Sequence, residues 1–70
     1  MNSSLRNFDR TQERQIHLAA RGHALNACAS WLLTFEHETE KGNAGLADFA
    51  LKRALLSAHA AEENAREAAK

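Results

Sequence analysis

The sequence predicts an all-α fold, an antiparallel two-helix hairpin that dimerises into a four-helix bundle. Three observations carry that expectation. The 70 residues include fifteen Ala and nine Leu but no Pro, Val or Tyr and a single Ile, a composition of strong helix formers nearly devoid of the β-branched residues that strands favour. Apolar residues recur at helical rather than alternating spacing. One Gly-containing turn, near residue 42, divides the chain.

Taken in chain order, residues 1–9 hold polar turn formers with two isolated large apolar side chains, Leu5 and Phe8, and no sustained period, so they are expected to form a flexible N-terminal arm. Asp9, with Gln12 three positions on, suits a helix N-cap, although Ser3 or Ser4 offers an earlier start. Residues 10–70 form the hairpin. Its first helix spans 10–41, interrupted only by Gly22, which costs about 1 kcal/mol relative to Ala. The turn covers 42–44, where Gly42 suits the left-handed position that ends a helix and Asn43 can cap the next. The second helix covers 45–68, and so short a connection makes the two helices antiparallel.

Placed at 100° per residue, the first helix collects Leu18, Ala24, Leu25, Cys28, Trp31, Leu32 and Phe35 on one arc, opposite His23, Asn26, Ser30, Thr34 and His37. Leu33 points to the polar side. On the second helix Leu46, Ala47, Ala50, Leu51, Ala54, Leu55, Ala58, Ala61 and Ala65 make one wide apolar surface, which is expected to pack on the first helix with Leu51 and Leu55 in the core. Phe49, Leu56 and Ala60, with Arg53 among them, form a second ridge, and only Asp48, Lys52, His59, Glu63 and Arg66 remain as a polar strip. A helix apolar around most of its circumference is buried on more than one side. One neighbouring helix covers one side, so the surplus is expected to meet a second copy or another protein. Chain length agrees, because so short a chain buries only about 60% of the surface it exposes unfolded.

Candidate interface residues are therefore Phe49, Leu56, Ala60 and Arg53 on the second ridge, Leu5 and Phe8 in the arm, and Trp31, the one Trp and a natural core or contact anchor. Arg10, Arg14 and Arg21 fall within about 40° of one another on the wheel and could contact acidic groups or phosphates, which gives an alternative function, a small nucleic-acid-binding regulator. Nine Lys and Arg against nine Asp and Glu leave a net charge of +0, which argues for protein rather than nucleic acid as partner. His17 sits near the apolar arc and is expected to be a hydrogen-bonded structural residue.

No catalytic, cofactor-binding or metal-ligating set can be assembled. His17 and His23 lie on different faces, and His17 and Cys28 stand about 16 Å apart along the axis. His37 and Glu40 share a face but make only a pair, and the crowd of Glu36, Glu38 and Glu40 at a helix C-terminus opposes the macrodipole, a slight sign of a basic partner. No phosphate loop, acid pair or nucleophile with a base in reach is present. The single Cys forms no internal disulfide, and neither a run of about 18 apolar residues nor a signal-peptide pattern is found, so a soluble, cytoplasmic protein is expected.

The polar start, the long helix with Trp31-Leu32-Leu33, the Gly42-Asn43 turn and the Ala-rich second helix together resemble the small early proteins of temperate bacteriophages. In size and layout the chain is similar to the phage anti-quorum-sensing proteins, dimeric helical hairpins that bind and inhibit a host transcription regulator and a pilus-assembly ATPase. The likeness is architectural and spans most of the chain in outline, and no residue role transfers with it. It implies a homodimer that inhibits or modulates a host protein in the host cytoplasm, without enzymatic activity or cofactor.

Overall fold

A computed structural model describes the backbone of residues 2–70 and the side chains from Asp9 onward. Two helices make the whole fold, α1 (Asn2–Lys41) and α2 (Ala44–Ala69). They pack antiparallel into a rod 62 Å long. That length is set by α1, whose forty residues rise about 60 Å where α2 rises about 39 Å. Arg14 lies opposite Ala68, near the end of α2, so the first turns of α1 extend past its partner.

Helix α1 begins well before the predicted position 10. The backbone of residues 2–9 is helical and continuous with the rest of α1, and Asp9 is an interior helical residue rather than a cap. Nothing in that segment is a Pro or Gly that would stop a helix. The side chains of Leu5 and Phe8, expected to make contacts from an arm, lie outside the described residues.

The turn forms where the sequence places it. Gly42 adopts φ +82°, the Asn43 N–H donates to the Glu38 carbonyl at 2.9 Å and the Gly42 N–H to that of Thr39 at 3.1 Å. Those two bonds define a Schellman motif closing α1 on a left-handed glycine. Asn43 occupies the N-cap position of α2, but its side chain makes no cap bond. Its amide instead donates to the Glu38 carboxylate at 2.7 Å.

The seam between the helices is built from small residues. On α2 the inward positions are Ala47, Ala50, Ala54, Ser57, Ala61, Asn64 and Ala68, alternating three and four residues apart. Opposite them α1 presents His17, Ala20, Ala24, Ala27, Cys28, Trp31, Phe35 and Glu38, all half-buried. A strict seven-residue repeat of this kind winds two helices around each other in a left-handed sense. Its fully buried members among the described residues are five alanines, Ala47, Ala50, Ala54, Ala61 and Ala68.

Ala47, Ala50, Ala54 and Ala61 lie on the surface expected to pack on α1, but the large apolar residues do not fill the seam beside them. Among the described residues nine large ones, namely Ile16, Leu18, Leu25, Leu32, Leu33, Leu46, Phe49, Leu55 and Leu56, are 43–67% exposed. Leu55, assigned to the core, lies largely in solvent, and Leu18, Leu25 and Leu32 flank the seam instead of filling it. The physical reason is closest approach: methyl side chains let two backbones come near, and a Leu in the same place would hold them apart. Burying five methyl groups at about 0.8 kcal/mol each contributes roughly 4 kcal/mol, less than burying three leucines would.

Candidate functional site

The surface of the hairpin divides into two apolar flanks and a polar back. Along the back of α2 run exposed ion pairs one helical turn apart: Lys52 with Asp48 at 2.9 Å, His59 with Glu63 at 3.6 Å, and Arg66 with Glu62 at 2.6 Å. Such pairs add little stability but keep that strip in solvent.

One flank holds the predicted second ridge, and the structure adds an aromatic cluster to it. The Trp31 ring meets Phe49 edge-to-face, centroids 5.7 Å apart with planes at 83°. The Arg53 guanidinium lies 5.8 Å from the Trp31 ring centroid and 5.9 Å from that of Phe49. Trp31 comes from the seam of α1 and leans outward, while Phe49 and Arg53 come from α2, so the cluster clasps the two helices together at the surface. It is not a sealed core: Phe49 is exposed and Trp31 half-buried. Leu46 and Leu56 stand exposed at either end along α2, with Ala60 one turn beyond. Of the predicted interface residues, Trp31, Phe49, Arg53, Leu56 and Ala60 thus share one flank.

The other flank was not foreseen as a surface. Leu18, Leu25 and Leu32 recur every seventh residue of α1, and on the adjoining side of α2 stand Leu51, Leu55 and Ala58. Phe35 and Leu51 line one shallow cavity beside the turn with Thr39, Ala44, Ala47 and Asp48, which places these two helix edges on the same side of the rod. Half-buried Cys28 lies among the leucines.

At the open end the Arg14 Nε donates to the Ala68 carbonyl at 3.2 Å, capping the C-terminus of α2. Arg10 and Arg14 line a depression with Glu13, Glu67 and Lys70, so the predicted basic ridge is interleaved there with carboxylates; Arg21 remains exposed further along. The Lys70 ammonium donates to Glu67 at 2.9 Å, and this bond, with the attraction of the same charge, holds the Glu67 carboxyl below its ordinary range. One turn inward, His17 Nδ1 lies 2.8 Å from Asn64 Oδ1, and the Asn64 amide donates to the Ala60 carbonyl at 2.9 Å. His17 is accordingly a hydrogen-bonded member of the seam. Glu38 is likewise engaged within the chain, through Asn43 and, at 4.0 Å, Lys41, which removes one carboxylate from the acidic cluster read as a sign of a basic partner.

Among the described residues no group of three or more His, Cys, Asp or Glu is placed to hold a metal ion, and no helix is long and apolar enough to cross a membrane. Comparison with protein-family models, with curated proteins and with solved structures finds no match.

Proposed function

We propose that the chain is a non-enzymatic protein-binding module that works as a homodimer and modulates a host protein on behalf of a phage or other mobile element. The observation that carries the binding role is the surface cluster of half-buried Trp31 with exposed Phe49 and Arg53, between Leu46 and Leu56. Aromatic and Arg side chains dominate the energetics of protein interfaces because they bury large rigid surface and direct hydrogen bonds from one place. A guanidinium lying on two rings keeps donors free at its edge, so the partner surface that fits is an apolar ridge or helix face bearing a carboxylate. The phage assignment rests on the architectural resemblance alone.

A nucleic-acid role is less well supported. Arg14 spends a donor on Ala68, and Glu13 and Glu67 stand beside Arg10 and Arg14, where a phosphate backbone would meet repulsion.

Capture from host lysate on immobilised wild type, Phe49→Asp and Arg53→Glu protein tests the proposal. One host protein should bind wild type and be lost from both variants, and Phe49→Ala should weaken its measured affinity by roughly thirtyfold, about 2 kcal/mol. Equal capture by all forms would refute the assignment of the ridge. Retention of nucleic acid that falls steeply with salt would favour the alternative.

A further inference from the structure

We infer that the leucine flank, Leu18, Leu25 and Leu32 of α1 with Leu51 and Leu55 of α2, is the self-association face, and that its occupant is a second copy of this chain. The inference rests on the homodimer reading above and deepens it by separating the dimer surface from the Trp31–Phe49–Arg53 ridge.

Area is the first argument. The chain exposes 5474 Å², whereas a compact monomer of its mass exposes about 4,300 Å². The excess of about 1,100 Å² belongs to the elongated rod as a whole and is comparable with the roughly 800 Å² that each partner contributes to a standard stable interface. The flank is also two helices wide, a surface on which a second hairpin can complete a four-helix bundle.

Complementarity is the second argument. The hydrogen bonds of Arg14 to Ala68 and of His17 to Asn64 set which residues lie level across the hairpin. One residue forward on α1 answers to one back on α2, so Leu18 lies within about two residues of the level of Ala65, Leu25 of Ala58 and Leu32 of Leu51. A two-fold axis along the rod would lay α1 of each copy over α2 of the other. Leu18 then faces Ala65 of the second copy, Leu25 faces Ala58 and Leu32 faces Leu51, so apolar meets apolar along the flank. Every neighbouring pair of helices in that bundle is antiparallel, the arrangement helix dipoles favour. Between Arg21 and Asp48 the flank carries no charged residue, so a second copy covers it without stranding an ion.

The experiment is sedimentation equilibrium at micromolar concentration on the full chain, with far-UV circular dichroism on the same samples. Wild type should sediment at twice 7.7 kDa. Leu25→Glu and Leu55→Glu should lose half that mass, and Phe49→Asp should keep both mass and helicity. Separated hairpins are expected to lose helicity too, so a measurement on unmutated protein accompanies the variants. The Cys28 thiol should react more slowly with a maleimide as wild-type concentration is raised through the dissociation midpoint. A wild-type monomer, or Cys28 reactivity independent of concentration, overturns the inference, while the ridge stands or falls separately by capture. A dimer abolished by Phe49→Asp but kept by both leucine variants overturns the flank assignment alone.

Discussion

Replacing Ala50 with Leu tests the alanine seam most directly. Ala50 is 0% exposed and faces α1 near the middle of the tight stretch. A Leu there adds three carbon atoms where the helices approach through methyl groups, and inserting such volume into a packed interior costs about 1–3 kcal/mol through displaced backbone and strained rotamers. For a chain of this size each 1 kcal/mol moves the melting temperature by roughly 4–8 °C, so Ala50→Leu should melt on the order of 5–20 °C below wild type. Ala29→Leu is the control: Ala29 is exposed on α1, and the same substitution there should stay within about 0.5 kcal/mol of wild type. Both are followed by circular dichroism at one fixed protein concentration, since association shifts apparent stability by mass action. Should Ala50→Leu melt at or above the wild-type temperature, the seam is not close-packed and the leucines belong inside.

Two further substitutions probe the ends of the seam. Asn64→Leu deprives half-buried His17 of its acceptor at an end lined also by Glu63, Glu67 and Lys70 and should destabilise the hairpin by about 1 kcal/mol, whereas His17→Leu with Asn64→Leu removes both polar groups and should recover most of that loss in urea denaturation. Failure of the double variant to recover would show that the pair does more than satisfy itself. Gly42→Ala places a Cβ at φ +82° and should cost about 1–2 kcal/mol, the penalty of a left-handed backbone for an L-residue, visible as a lowered melting temperature with unchanged helicity below it; a variant that melts with wild type would mean the turn relaxes out of the Schellman geometry.

Helix content, the antiparallel arrangement and the turn at Gly42 were legible in the sequence because each has a local cause: propensity, a short connection, and a glycine at the one place a positive φ is needed. The start of α1 was less so. Asp9 is a good cap residue, but a cap signal inside a segment with no helix breaker does not oblige the helix to begin there. The buried alanines lay on the predicted packing surface, but the placing of Leu55 beside them in the core was misjudged for a sharper reason. A helical wheel counts Ala and Leu alike as apolar, and both rows of α2, the alanines at 47, 50, 54, 61 and 68 and the leucines at 51 and 55, lie within one broad arc. What decides between them is how near the second backbone can come, a property of two helices together. The usable signal was regularity: the small residues Ala47, Ala50, Ala54, Ser57, Ala61, Asn64 and Ala68 keep three-four spacing over the length of α2, and the leucines do not. Phe49 and Arg53 shared the predicted ridge, but their joining to Trp31 had no sequence signal, since Trp31 comes from the other helix and the contact depends on register.

That division of labour explains how so small a chain can both hold a shape and offer surface. A hairpin closed by leucines would hide its most adhesive side chains in its own core and show its surroundings mainly alanine and charge. Here the buried members of the seam are alanines, and the His17–Asn64 pair adds a polar contact across it that a slip of the helices would break. The large side chains are thereby released to two opposite flanks. On one of them a cation and two rings are gathered from both helices, so the ridge is assembled only when the hairpin is closed. Binding through that ridge must then stabilise the closed hairpin, since a ligand that engages only the folded state shifts folding by its own occupancy. A partner that fits the ridge should raise the melting temperature in proportion to its affinity, and Arg53→Glu, which takes the cation out of the cluster, should abolish that rise.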